Sequence, residues 1–179
     1  MMKSLTKYLS EKLIISPSHV SEKLVVNKDY MTYNYSPKIP RELREIIIKR
    51  YKEQGPGTKE EPIDFNDIDV SGMTSFYDKN IETGIFEETN FEYIDVSGWD
   101  TSNIGNMRFM FGYCRKLKEL DLSNWTISSV QRSQYMFFRC SNLEKLLIPD
   151  FSKIENIKMR DMFHKCNPKS IPNWYTALL

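Results

Sequence analysis

One period governs this sequence. IDVSGWDTSNIGNMRFMFGYC begins at Ile94, LDLSNWTISSVQRSQYMFFRC at Leu120 and LLIPDFSKIENIKMRDMFHKC at Leu146, 26 residues apart each time. Cys114, Cys140 and Cys166 keep that step, as do Trp99, Trp125 and Phe151, and so do the Met-Phe pairs at 110–111, 136–137 and 162–163. A fixed period with fixed apolar positions is the signature of a repeat architecture. One unit of this size cannot bury its own apolar face, so each must stack on the next.

Within a unit, the stretch from Leu117 to Ser123 ends in alternation, with Leu120 and Leu122 inward and Asp121 and Ser123 outward. That predicts a short strand with one buried face. Asn124 and Trp125 turn the chain and place the indole inside. Residues 133–140 (SQYMFFRC) read as a single helical turn or 3₁₀ piece on the opposite side. Stacking such units predicts a parallel sheet, one strand per unit, over a ladder of Leu, Ile, Val, Trp, Met, Phe and Cys. IDVSG at 68–72 duplicates IDVSG at 94–98 and marks a divergent first unit, with Met73 in place of Trp and Glu88 where the cysteine is expected. The last unit decays. Pro149 lacks the N–H that a central strand uses, Pro172 stands where Leu120 and Leu146 stood, and Trp174, Tyr175, Leu178 and Leu179 are placed to cover the open end.

The units are preceded by two segments, so the sequence divides into 1–23, 24–62 and 63–179. Residues 4–14 form an amphipathic helix by pattern, with Ser4 as N-cap and Leu5, Tyr8, Leu9 and Leu13 on one face. Pro17 ends it, and residues 16–23, including His19, are a polar linker. Residues 24–35 have the Val and Tyr content of extended structure. Residues 40–54 carry the strongest helical pattern: Pro40 in the first turn, Leu43, Ile46, Ile47 and Tyr51 on one face, and Glu45 and Lys49 as an i,i+4 pair. Gly55 and Pro56 stop it. The first unit of an array has no outer neighbour, so residues 24–62 are predicted to be its N-terminal cap.

DVSGWDTSN, DLSNW and the MF-x-x-C ending resemble the repeats of BspA-like leucine-rich-repeat proteins, over residues 63–170. The resemblance implies an α/β fold, a leucine-rich-repeat solenoid with a short parallel sheet and an N-terminal helical cap. It also implies a non-enzymatic, protein-binding role without cofactors. KLVVNKDY, RELREIIIKRY and NDIDVS look like the cap of short relatives encoded by phages and mobile elements. MMKSLTKYLSE resembles the capsid-targeting peptides of tailed-phage internal head proteins, which are cut after a Glu. That second resemblance implies a virion-associated cargo protein.

Composition narrows the remaining options. Hydrophobic residues are 40% and charged residues 27%, enough apolar content for a packed core. The net charge of +1 gives no bulk attraction to nucleic acid or membrane. Residues 1–62 hold 12 Lys and Arg against 8 Asp and Glu, and residues 63–179 hold 13 against 16, too small an asymmetry for a nucleic-acid partner. No apolar run approaches the roughly 20 residues of a membrane span, and Lys3, Lys7, Glu11 and Lys12 break up any secretory signal. The expectation is therefore a cytoplasmic protein, or a virion protein if phage-encoded, with an unidentified protein partner and self-association through the open ends of the array.

The sequence contains none of the phosphate-loop, HExxH or GxSxG patterns. The three cysteines read as a buried column. Zinc ligand sulfurs lie within about 4.6 Å of each other, whereas two unit steps place Cys114 and Cys166 about 10 Å apart. No catalytic, cofactor or metal residue is predicted. The outward strand positions supply the candidate partner-binding residues: Asp69, Asp95 and Asp121, expected to stack in register, with Glu119 beside them. Like charges at about 4.8 Å repel, so such a ladder fits a basic partner or, more simply, carboxylates that bond the following turn.

Overall fold

The structure, a computed structural model, describes residues 33–177. The 4–14 helix, the 16–23 linker, most of the 24–35 segment, and Leu178 and Leu179 lie outside the described residues.

Pro40–Gln54 forms the predicted helix, α1. The Lys38 N–H donates to Glu42 Oε2 at 2.7 Å at its start. Gly55, at φ 78°, ends it by donating its N–H to the Tyr51 carbonyl at 2.8 Å. Leu43 and Ile47 are buried, and Ile46 and Tyr51 pack on the core. The i,i+4 ion pair that forms is Lys49–Glu53 at 3.9 Å, one turn beyond the expected pair.

The expected α/β leucine-rich-repeat solenoid with its own parallel sheet does not describe the rest. Six strands follow: β1 (Ile63–Asp64), β2 (Tyr77–Asp78), β3 (Thr83–Gly84), β4 (Ile94–Asp95), β5 (Glu119–Asp121) and β6 (Lys145–Leu147). They make three separate two-stranded sheets: β1–β4 parallel, β2–β3 antiparallel and β5–β6 parallel. Only an isolated bridge, Tyr93 with Glu119, links the first parallel pair to the second. The strands stop early because Asp side chains draw the backbone into turns. The Ser97 N–H donates to Asp95 Oδ1 at 2.9 Å and the Ser123 N–H to Asp121 Oδ1 at 2.9 Å, each just past its strand.

Most contact between units is made instead by turns on the opposite side. Here alternate amides divide their work. The N–H groups of Ser133, Tyr135, Phe137 and Arg139 donate forward to Lys158, Arg160, Met162 and His164. Those of Met136, Phe138 and Cys140 close local turns onto the carbonyl three residues back. Met107, Phe109, Phe111 and Tyr113 repeat the forward set onto the unit at 132–138. The expected helical turn over 133–140 therefore does not form. Every fourth residue is left-handed: Phe109 and Tyr113 at φ 51° and 58°, Tyr135 and Arg139 at 60° and 58°, Asp161 and Lys165 at 53° and 58°. A side chain in that region costs about 1–2 kcal/mol, offset here by the forward bonds.

The core is a set of ring columns. Phe86, Phe111, Phe137 and Phe163 stack at 5.3, 5.4 and 5.2 Å. Trp99 and Trp125 stack at 6.1 Å, and their indole N–H groups donate to the carbonyls of Phe65 at 2.9 Å and Val96 at 3.1 Å. Phe151 takes the Trp position in the last unit. Trp174 stacks on it at 6.0 Å and Tyr175 meets Phe163 at 4.8 Å, so the predicted C-terminal cover is present in these two residues.

The first unit is built differently from its predicted form. Ile63 pairs with Ile94 and Ser75 bridges Asn106, both 31 residues on, whereas Phe86 stacks on Phe111, 25 residues on. The difference is absorbed by the β2–β3 hairpin. Gly84 permits this hairpin to approach the next unit, because a Cβ there would lie 2.3 Å from the Phe109 carbonyl oxygen. IDFND at 63–67, not IDVSG at 68–72, is thus the registered partner of IDVSG at 94–98. The cysteine column ends at Thr89 rather than Glu88: the Thr89 N–H bonds the Phe86 carbonyl as Cys114 bonds Phe111.

Candidate functional site

The strand side carries the predicted residues, with Asp69 displaced from the others. The registered neighbour of Asp95 is Asp64, and that of Asp121 is Leu147. Asp69 lies beside residues 34–36: its N–H donates to the Tyr35 carbonyl at 2.8 Å, and its carboxylate accepts from the Ser36 hydroxyl at 3.5 Å. The Tyr93–Glu119 bridge keeps the 26-residue step that sets Asp95 beside Asp121, so of the anticipated acidic column only the place of Asp69 is corrected: Asp64 stands there instead. The extra residues of the first unit carry Asp69 out of register.

Each of these carboxylates has a local task. Asp69 Oδ1 accepts from the Ser71 amide at 3.0 Å and hydroxyl at 2.6 Å, and the same two bonds at Asp95 are 2.9 and 2.7 Å. The Ser71 bonds hold the Asp69 carboxyl below the usual range. Burial pushes Asp64 above it, against the Asn66 amide, and the facing Asp95 adds to the shift. Glu119 is matched by cations, with Lys59 Nζ at 2.6 Å and Lys145 Nζ at 4.0 Å. The Lys59 contact lowers the glutamate and raises the lysine.

Glu119 and its two lysines rim a shallow open groove. Leu147, Tyr93 and Pro62 give it apolar surface above the buried Ile94 and Leu120, and Lys59, Glu119, Asp121 and Lys145 form its charged edge. Leu147 is 44% exposed. The groove therefore presents both charge signs around an apolar strip, not a purely acidic ladder. Lys118 and Glu92, paired at 2.6 Å, continue the mixed pattern nearby.

The cysteines are free and buried. Cys114 and Cys140 donate their thiols to the carbonyls of Phe86 and Phe111, both at 3.0 Å, and Cys166 to that of Cys140 at 3.4 Å. Burial pushes the Cys114 thiol up to about 12 and Cys140 well above its ordinary value. The Cys114 and Cys140 thiols, so held, are poor nucleophiles. His164 stacks on the Phe138 ring at 5.4 Å. Among the described residues no group of three or more His, Cys, Asp or Glu could hold a metal ion, and no helix is long and apolar enough to cross a membrane.

Two arginines that the sequence reading passed over organise the N-terminal end. Arg44 donates to the carbonyls of Gly84 at 2.8 Å, Ile85 at 3.2 Å and Glu87 at 3.0 Å. Arg50, 9% exposed, donates to the Asp64 carbonyl and pairs with Asp67 at 2.7 Å. These carbonyls face outward from the first unit, where a preceding unit would have bonded them. The signal was available: Arg50 falls on the same helical face as Leu43 and Ile47. The turn side also gathers aromatic and arginine side chains that no single motif announces.

The family model described as "Mycoplasma protein of unknown function, DUF285" matches residues 64–176. No curated protein and no solved structure matches this chain.

Proposed function

This chain belongs to the DUF285 family, and from that premise we propose that it is a non-enzymatic, protein-binding repeat module of the BspA-like kind. The carrying observation is the strand-side groove, where an exposed Leu147 beside Tyr93 and Pro62 lies inside a rim of both charge signs. Interface cores combine this way, with an apolar centre and a polar rim. The partner docks an apolar side chain on Leu147 and sets a basic group toward Asp121. Asp95 and Asp121 remain the candidate contacts, with Asp69 displaced from them.

Affinity capture with mass spectrometry, run in parallel on wild type, Leu147→Glu and Asp95→Asn/Asp121→Asn, tests this. A partner enriched by wild type and lost from both variants, with their melting temperatures near wild type, is the expected result. Equal recovery by all three sinks the groove as the contact site. The N-terminal MMKSLTKYLSE motif supports a second reading, a packaged virion cargo protein. N-terminal sequencing from particles decides it, since a mature start at Met1 or Met2 removes that reading.

A further inference from the structure

The turn side of the array carries a second surface, distinct from the groove. Tyr77, Phe109 and Tyr135 form a stack at 6.5 and 4.7 Å. Phe138 meets Tyr135 edge-on at 5.7 Å and Tyr113 at 5.1 Å, which makes the belt continuous across three units. Besides the exposed Arg115, 5.8 Å from the Tyr113 ring, two half-buried guanidinium groups lie on it. Arg108 is 4.7 Å from the Tyr77 ring and 6.0 Å from Phe109, and Arg139 is 5.6 Å from Tyr113 and 5.5 Å from Phe138.

Among the described residues, Arg108 and Arg139 are partnered by rings alone. Among the described residues no carboxylate pairs with either, and neither guanidinium donates to a carbonyl. The Nε of each is buried without a hydrogen-bond partner. Arg44 and Arg50 of α1 show the contrast, since each donates to several oxygens. A guanidinium held over rings keeps its direction and loses water, yet its remaining N–H donors still require acceptors. A planar two-donor fork fits a carboxylate bidentately.

We propose that this belt is a docking surface for an acidic segment of a partner polypeptide, whose carboxylates pair with Arg108 and Arg139. Charge complementarity identifies the occupant, and the rings exclude the main competitor. Single-stranded nucleic acid binds such surfaces by stacking bases on free ring faces, but here Phe109 lies stacked between Tyr77 and Tyr135, and guanidinium groups cover further faces. Arg108 and Arg139 are half-buried and not enclosed, and their remaining N–H donors suit carboxylate oxygens. The inference shares with the groove only the reading that the partner is a protein, and its test uses no lysate.

The test is fluorescence anisotropy of a labelled oligo-glutamate peptide titrated with the full chain, beside labelled oligo-lysine and a single-stranded oligodeoxynucleotide. The expected result is saturable binding of oligo-glutamate that weakens with added salt, is lost at least about tenfold in Arg108→Gln/Arg139→Gln, and persists in Leu147→Glu. A second measurement on wild type is independent of variant folding. The peptide should slow phenylglyoxal modification of Arg108 and Arg139 while leaving the exposed Arg132 unaffected. Equal peptide affinity in the arginine variant, unprotected arginines, or arginine-dependent binding that favours the oligodeoxynucleotide would each overturn the proposal. Failure here leaves the groove reading intact, because Leu147→Glu and the arginine variant report on different faces.

Discussion

Asp95 shows how a side chain can be outward-facing, acidic and still structural. Its Oδ1 holds both the amide and the hydroxyl of Ser97, so Asp95→Ala should cost about 1 kcal/mol. Asp95→Asn keeps the acceptor and should fall within a few tenths of wild type; urea melts of the two variants separate a capping role from a charge role. The Asp67 carboxylate behaves differently. Burial opposes its ionisation, but Arg50 and the Asn34 side chain outweigh that and hold it below the usual range. A depressed carboxyl contributes stability that is present above its unfolded value, about pH 4, and lost as pH falls through the folded one. Wild type should therefore lose stability more steeply than Asp67→Asn in thermal melts below that pH. Outward orientation at Asp95 and Asp121 was legible from alternation. The pairing of Glu119 with Lys59 was not, because Lys59 comes from a loop 60 residues upstream that no local pattern ties to the strand.

At the scale of elements, α1 was the most legible part of the chain, since Pro40, the apolar face and Gly55 all act locally. What it does was less legible. Arg44 supplies the acceptor-hungry groups that a missing unit would have supplied, so Arg44→Met should cost about 1–3 kcal/mol, the penalty of leaving buried carbonyls unpaired, while Lys52→Met at the helix's exposed end should be near neutral. The β2–β3 hairpin was illegible because identity misled. IDVSG recurs 26 residues before its copy, yet the backbone registers IDFND there instead. Gly84→Ala tests this close approach, since a Cβ 2.3 Å from a backbone oxygen cannot be relieved by a rotamer change. A loss of about 1–3 kcal/mol or more is expected from such overpacking, measured by chemical denaturation. The turn over 133–140 failed as a helix for a related reason. Its apolar spacing suits a helical turn, but its amides are shared with the next unit, and spacing within one unit carries no information about that.

For the whole molecule, period predicted stacking and the buried Cys, Phe and Trp columns, because those positions depend on identity at fixed steps. It overstated the sheet, because strand length is decided by where Asp side chains capture the backbone. The forward bonds of the turn side have one more consequence. The peptide units 132–133, 134–135, 136–137 and 138–139 each receive a bond at the carbonyl from the unit behind and donate through the amide to the unit ahead, so their moments point the same way. This turn-side column is therefore an axial dipole, with its negative pole at the first unit and its positive pole at the 159–165 turn, by the reasoning that gives a helix its poles. Arg44 and Arg50 sit at the negative pole. Asp161 stands at the positive one, in the column where the preceding units carry Phe109 and Tyr135. Removing its charge with Asp161→Asn, in an Arg160→Gln background that eliminates the neighbouring ion pair, should cost about 0.3–1 kcal/mol. Calorimetry at rising ionic strength should show that loss fade, as a field effect does and a packing effect does not.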